Sequence, residues 1–128
     1  MRRVALALIH RGERWFLQRR DLENAVLPGL WEFPGGKAEG DENLRQTLER
    51  EVHEELGLIL LKAEPWPVLE GEVQLHPFLA EVAGDPRTPL AWGWFTVEDM
   101  LKLPIPELNR ALIERIRGAR NFSTPRLI

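Results

Sequence analysis

Residues 35–58 read GGKAEGDENLRQTLEREVHEELGL, and this stretch decides the fold of the chain. Its apolar residues recur every four positions, as the buried stripe of a helix requires: Leu44, Leu48, Val52 and Leu56. The spacing predicts a helix over 41–56. Asp41 and Glu42 are expected near its start, where the helix dipole favours negative charge, and Gly57 is expected as its left-handed C-terminal cap.

Three glutamates of this helix share one sector of its surface. Glu51 is three residues before Glu54 and four before Glu55, so an ideal helix projects all three within roughly 100°. Like charges at this spacing cost a few tenths of a kcal/mol per pair, and a purely structural helix would gain by replacing one with Lys. Such a cluster suits a hard divalent cation, because Mg²⁺ prefers oxygen ligands. A solvated acidic face is the alternative that so short a motif leaves open.

The elements on either side predict the fold class. The expected strands are 4–10 and 15–18 around a turn at Gly12, then 31–34, 68–72, 73–82 and 92–96. Residues 21–30 are expected as a loop and 37–40 as a polar connector, and His76-Pro77 marks an edge or a bend. Helices are expected at 97–101 and 107–117, followed by a loose tail after Gly118. This order predicts a single α+β or α/β/α domain with a mixed sheet.

Composition excludes several classes of function. The 128 residues are 44% hydrophobic and 29% charged, which is typical of one globular domain. No apolar run approaches the roughly 20 residues of a membrane span, and no signal peptide is recognised, so a cytoplasmic protein is expected. The lack of cysteine excludes disulfides, thiolate zinc sites and cysteine nucleophiles, and the only serine is Ser123. The net charge of −3 is not typical of a nucleic-acid-binding protein.

The helix and the loop before it fit a longer pattern at every fixed position. These positions are Gly36, Glu42, Arg50, Glu51, Glu54, Glu55 and Gly57, with apolar Val52 and Leu58. The pattern is the Nudix box, and the sequence therefore resembles the Nudix hydrolase family. The box covers residues 36–58, and the order of elements agrees over most of the chain. We accordingly expect a single Nudix hydrolase domain over 1–128.

The resemblance implies a fold and a reaction. The fold is an α/β/α sandwich with a mixed β-sheet, in which the box forms a loop–helix–loop. The reaction is Mg²⁺- or Mn²⁺-dependent hydrolysis of a nucleoside diphosphate linked to another group. It is chemically reasonable for this site, because bound metals shield anionic oxygens, activate a water and stabilise the leaving phosphate.

The resemblance also implies roles for residues, carried over by position. The implied metal ligands are the carboxylates of the helix and one carbonyl: Glu51, Glu54, Glu55 and Gly35. Arg50 would orient a carboxylate by a bidentate pair, and Glu42 would hold the loop–helix unit together. Either Glu51 or Glu54 would be the general base, and the sequence does not choose between them or give the number of metal ions.

One subgroup is closer than the rest. Residues 17–37, LQRRDLENAVLPGLWEFPGGK, look like MutT-type nucleoside triphosphate pyrophosphohydrolases, which clear oxidised guanine nucleotides. The likeness implies that Arg20 contacts substrate, Phe33 lines the base pocket and Asn109 reads the purine. The alternatives are a solvated strand-end charge for Arg20, core packing for Phe33 and a helix-cap or surface role for Asn109.

The sequence departs from the family before the tryptophan-rich strand. Many members carry a Glu there, whereas this chain has Ala91, with Asp85 as the nearest acidic substitute.

The expected activity is hydrolysis of a nucleoside triphosphate, 8-oxo-dGTP among the candidates, to the monophosphate and pyrophosphate. One alternative is a hydrolase of ADP-ribose, a nucleotide sugar or another nucleoside diphosphate derivative. The other is a non-catalytic Nudix-fold binding module, although such modules tend to lose box carboxylates that are intact here. The expected partner is a small nucleotide, with no nucleic acid polymer and no membrane, for a monomer or homodimer.

Overall fold

The computed structural model describes residues 2–23 and 27–122, and these contain eight strands and three helices. The strands are β1 (Arg3–Arg11), β2 (Arg14–Arg19), β3 (Trp31–Glu32), β4 (Gly35–Lys37), β5 (Ile59–Pro65), β6 (Leu69–Glu70), β7 (Gln74–Ala83) and β8 (Trp92–Phe95). The helices are α1 (Leu44–Leu56), α2 (Val97–Met100) and α3 (Glu107–Phe122). The chain divides into two units, one of residues 1–9 and 33–89 and one of residues 10–32 and 90–128. The single domain over 1–128 stays a prediction.

The first unit is built on a mixed sheet, as the sequence predicts. β1 runs parallel to β7 and antiparallel to β4, while β5 and β6 both pair antiparallel with β7. The middle of β1, from Ala5 to Ile9, is buried. A continuous apolar run of this kind is expected of a strand with neighbours on both sides and both faces covered.

β4 covers two glycines for which the sequence predicts no element and the first residue of the predicted polar connector. Gly36 pairs with Ala5 of β1, and Gly35 pairs with Leu6. A Cβ added to Gly35 would lie 2.0 Å from the carbonyl oxygen of Ala5, so only glycine permits this close approach of the two backbones. Lys37 therefore belongs to a strand, and the predicted connector was wrong at its first residue.

The α1 helix begins three residues later than its apolar periodicity suggests. The Asn43 side chain accepts a hydrogen bond from the Gln46 N–H at 2.8 Å, and the Gln46 side chain accepts one from the Asn43 N–H at 2.9 Å. This capping box fixes the start at Leu44, because each side chain satisfies a backbone donor at the helix end. Asp41 and Glu42 thus lie just before the helix, so they are near its start as predicted, but the predicted start at residue 41 was wrong. Gly57 closes the helix with φ 68°, as predicted.

The long strand β7 passes through His76-Pro77, where the sequence predicts an edge or a bend. It pairs with β1 along one side, so it is not an edge strand as a whole, and the bend stays a prediction. On the other side, β6 pairs as far as Leu75 and β5 pairs from Phe78 onward. Pro77 falls in the gap between them, where its missing N–H removes no ladder bond. β5 was not predicted either, since the expected strands include none between residues 34 and 68.

The second unit is a smaller antiparallel ladder with two helices. β2 pairs with the end of β1 through a turn in which Gly12 has φ 60°, and it pairs with β3 and β8. The α3 helix buries Leu112, Ile113 and Ile116, whose spacing of three and four gives one apolar face. This helix continues to Phe122, so the loose tail predicted after Gly118 was wrong as far as that residue. Residues 123–128 lie outside the described part of the chain.

Candidate active site

Arg50 and Glu42 form a bidentate ion pair at the centre of the box. The Arg50 Nε lies 2.7 Å from Glu42 Oε2, and Nη2 lies 3.1 Å from Oε1. Glu42 Oε1 also accepts hydrogen bonds from the Glu39 N–H at 2.9 Å and the Thr47 hydroxyl at 3.0 Å. These bonds, with that from Arg50 the largest, lower the pKa of Glu42 to about 2. Glu42 therefore joins the loop before the helix to the first turns of α1.

The remaining Arg50 nitrogen faces two carboxylates of the predicted metal site. Nη1 lies 2.8 Å from Glu51 Oε1 and 3.3 Å from Glu54 Oε2. Nη2 also donates to the carbonyl oxygen of Lys37 in β4 at 3.1 Å. The two carboxylates therefore converge on a single positively charged group, which holds the helix against β4.

Glu51 and Glu54 differ in exposure. The Glu51 side chain is 15% exposed, whereas that of Glu54 is 60% exposed. Burial raises the pKa of Glu51, and the nearby Arg50 acts in the opposite direction. Two carboxylates one helical turn apart therefore have different environments, although both contact the same guanidinium.

The two glycines of β4 make room for the other side of the site. A Cβ on Gly36 would lie 2.4 Å from the carboxyl carbon of Glu51, so a side chain fits at this position only if the Glu51 carboxylate moves. The Gly35 N–H donates to Glu55 Oε2 at 3.3 Å. The Gly-Gly pair therefore brings the β4 backbone directly against the glutamates of α1.

The side chains of this cluster suit a divalent cation, because hard cations prefer carboxylate oxygens. Within residues 2–23 and 27–122, no three His, Cys, Asp or Glu side chains lie close enough together to hold an ion as they stand. Glu55 faces the Gly35 N–H, while Glu51 and Glu54 face Arg50. The ligand roles of the three glutamates and Gly35 thus stay predictions. To bind an ion together, the three carboxylates would have to leave their present partners, Arg50 and the Gly35 N–H.

The remaining predicted site residues belong to other elements of the chain. Arg20 is not simply a solvated charge, since its Nε lies 3.0 Å from Glu32 Oε1. Phe33 is 1% exposed, as core packing would give. Asn109 is the third residue of α3 and is 6% exposed, so it is neither a cap nor a surface residue. Asp85 is exposed in the segment between β7 and β8.

Sequence reasoning missed three participants in these contacts. Thr47 and the Lys37 carbonyl bind the Glu42–Arg50 pair, and Glu32 binds Arg20. Only Glu32 had a usable signal, because an antiparallel pairing of the predicted strands 15–18 and 31–34 could bring it near the end of the first. The other two depend on the late start of α1 and on β4, and neither was predicted.

Fold, box and geometry agree with a comparison against known families. The model of the NUDIX domain matches residues 1–116, and the chain belongs to the Nudix hydrolase family. As a class, Nudix hydrolases use divalent metal ions, in keeping with the oxygen-rich donor set.

The most informative relatives are bacterial. The chain is 31% identical to the CTP pyrophosphohydrolase of Escherichia coli K12, over 91% of this chain and 92% of that protein. It is 37% identical to the 8-oxo-dGTP diphosphatase of Buchnera aphidicola, over 46% of this chain and 45% of that protein.

Solved structures share the fold. The E. coli ORF135 protein matches with a TM-score of 0.85 and 30% identity, covering 96% of this chain and 93% of its own. The MutT Nudix hydrolase of Burkholderia pseudomallei matches with a TM-score of 0.79 and 30% identity, covering 88% of this chain and 95% of its own. The predicted fold class, a mixed sheet with helices of the Nudix type, is confirmed. Among the described residues, no helix is both long and apolar enough to cross a bilayer.

Proposed function

We propose that this Nudix hydrolase cleaves a pyrophosphate bond of nucleoside triphosphates and releases the monophosphate and pyrophosphate. One observation carries the proposal: every carboxylate of the box is present, and Arg50 binds three of them, Glu42, Glu51 and Glu54. A non-catalytic module would have no need to keep Glu51 and Glu54 converging beside a glycine strand.

Under this proposal the cation is Mg²⁺ or Mn²⁺, held by Glu51, Glu54, Glu55 and the Gly35 carbonyl. When bound, it would shield phosphate oxygens and lower the pKa of a water. Either Glu51 or Glu54 accepts the proton of the attacking water. Arg50 and Glu42 position these carboxylates and do not themselves need to contact substrate.

The substrate contacts proposed are Arg20 for phosphate or base, Phe33 for the face of the base and Asn109 for its edge. The burial of Asn109 supports its part, because a buried amide is held in one orientation and can discriminate donors from acceptors. Phe33 can contribute only the small part of its ring that is not enclosed. Asp85 stays the candidate for the missing loop carboxylate.

Two triphosphates are the leading candidates. The MutT-type run over 17–37 and the Buchnera relative support 8-oxo-dGTP. The E. coli relative, which matches over nine-tenths of both chains, supports CTP. ADP-ribose and nucleotide sugars are the alternative within the same family.

A substrate panel tests the proposal. The wild-type protein is incubated with Mg²⁺ and each of 8-oxo-dGTP, dGTP, CTP, ADP-ribose and a nucleotide sugar, and pyrophosphate and phosphate are quantified separately. The expected result is pyrophosphate from a triphosphate as the fastest reaction. Fastest hydrolysis of ADP-ribose or a nucleotide sugar would replace the proposed substrate class, and no hydrolysis of any compound would favour a binding module.

A further inference from the structure

Gln18 lies at the centre of a row of three side chains in the second unit. In the antiparallel ladders of β2, it is directly opposite Glu32 of β3 and Trp92 of β8. Side chains at directly opposite positions share one face of the sheet, with Cβ atoms about 4.5–5.5 Å apart. Phe16, two residues earlier on β2, lies on the same face, and its ring stacks on Trp92 with the centroids 5.6 Å apart.

The Gln18 amide is buried without a partner for its oxygen. The residue is 3% exposed, and its Oε1 accepts no hydrogen bond from any residue in the part of the chain that the structure describes. A buried polar atom without a partner destabilises a fold, and an apolar side chain of similar size would avoid that cost. A glutamine at this position therefore suggests that Oε1 meets a donor that is not among the described residues, as a bound ligand would supply.

The neighbours of Gln18 indicate what kind of molecule brings that donor. Glu32 adds a second acceptor, with its side chain 20% exposed and Arg20 at 3.0 Å. Trp92, at the other end of the row, is 40% exposed and offers an aromatic surface. The row thus combines hydrogen-bond acceptors with a ring on which a flat molecule can stack. A flat heteroaromatic ring that carries an amino group matches both properties.

We propose that the Gln18 side chain selects nucleotides whose base carries an exocyclic amine, by accepting a hydrogen bond from that amine while the base contacts Trp92. This inference rests on the proposed function for the nature of the ligand. Both leading candidates carry such an amine, on the guanine of 8-oxo-dGTP and on the cytosine of CTP. Uracil and hypoxanthine lack it, so uridine and inosine nucleotides are the disfavoured class.

The test measures binding of nucleoside monophosphates by calorimetry, which is independent of catalysis. GMP and IMP form the sharpest pair, since they differ only in the 2-amino group, and CMP with UMP forms the second pair. The wild-type protein should bind the amino-bearing member of at least one pair about tenfold more tightly. Gln18→Leu should bring that ratio to about one without weakening the other member and without lowering the melting temperature.

Gln74→Leu is the matched control. Gln74 lies on β7 outside the row and hydrogen-bonds to Glu70 and His76, so this variant should keep the wild-type ratio. Equal binding of both members by the wild type, or no binding of either, would overturn the inference. So would a Gln18→Leu protein that melts earlier and binds both members equally more weakly, because the amide would then be structural. The proposed function has a separate test. If triphosphates are not hydrolysed to pyrophosphate while the preference for the amino-bearing nucleotide is observed, the proposed function fails and the Gln18 inference stands.

Discussion

At the scale of single residues, Arg50 organises the carboxylates of the box. Its Nε and Nη2 bind Glu42, while Nη1 reaches Glu51 and Glu54. Lysine could not replace it, because a single ammonium group cannot form a bidentate pair with one carboxylate and also reach two others. One guanidinium therefore holds these three carboxylates in place before any ligand binds.

The Glu42 carboxylate should give the protein a pH-dependent stability. Its pKa is lowered from 4.5 to about 2 in the folded state, so its contribution is complete above about pH 4.5 and is lost as the pH falls towards 2. Glu42→Gln should be less stable than wild type at neutral pH, and the difference should shrink over that acidic range. Urea denaturation from neutral pH to about pH 2 measures it.

Glu49→Gln serves as the control for this comparison. Glu49 is an exposed glutamate of the same helix, 4.0 Å from Arg45, and its replacement should leave the acid dependence unchanged. A stability difference between Glu42→Gln and wild type that stays constant down to about pH 2 would show that Glu42 is not held ionised by its partners.

Gly36→Ala should damage the site more than the fold. The new Cβ would lie 2.4 Å from the Glu51 carboxyl carbon, and the flexible carboxylate would move instead of the backbone. Its 2.8 Å bond to Arg50 would be lost with little change in melting temperature. We expect at least about a tenfold loss in kcat/KM, roughly 1.4 kcal/mol of transition-state stabilisation. Steady-state kinetics and a thermal melt check this, and an unchanged kcat/KM would contradict the geometry.

At the scale of elements, the parts that follow from side-chain periodicity could be predicted and the parts that follow from backbone contacts could not. The buried stripe of α1 and its Gly57 cap were predicted, since both are local features of the sequence. β4 was missed because a Gly-Gly strand forms only through its approach to the Ala5 backbone, which no local pattern reveals. The capping box formed by Asn43 and Gln46 is also a local feature that the sequence contains. The predicted start was nevertheless placed at Asp41, two residues before Asn43.

The same distinction between local patterns and backbone contacts applies to the candidate site. The fixed positions of the box could be found by spacing alone, because they lie on one helix and the loop that leads to it. Their partners could not, since Arg50 binds the Lys37 carbonyl and Glu55 binds the Gly35 N–H across strand β4. Likewise, the burial of Asn109 depends on how α3 packs.

The α3 helix contains a glycine whose replacement should raise the stability of the protein. Gly118 lies inside the helix, and a Cβ there would meet nothing within 4 Å. Gly118→Ala should stabilise the protein by about 0.5–1 kcal/mol, because alanine loses less backbone entropy on folding. Chemical denaturation measures the gain, and activity should be unchanged. A loss of stability would indicate that this part of α3 is not helical.

At the scale of the whole molecule, a chain with a net charge of −3 gathers carboxylates in one short stretch that a cation would neutralise. The family match over 1–116 includes this stretch and most of the other elements. Metal binding should therefore change the thermal stability of the entire folded protein.

Millimolar Mg²⁺ or Mn²⁺ should raise the melting temperature. A ligand that binds only the native state adds about 1.4 kcal/mol at ten times its Kd, which corresponds to a few degrees for a domain of this size. Differential scanning fluorimetry with matched ionic strength checks the shift, and Glu49→Gln should show the same rise as wild type. A melting temperature that neither ion moves would contradict a metal site in the native protein.

The metal role of the box glutamates is tested most directly by comparing two exposed glutamates of α1, since Glu54 belongs to the box and Glu49 does not. Their side chains are 60% and 59% exposed, so Glu54→Gln and Glu49→Gln make the same chemical change at equally accessible positions. The measurement is pyrophosphate release from the best triphosphate at limiting Mg²⁺. We expect Glu54→Gln to lower turnover by about a hundredfold or more, while Glu49→Gln stays within about twofold of wild type and both remain folded. Wild-type turnover by Glu54→Gln under these conditions would contradict that metal role.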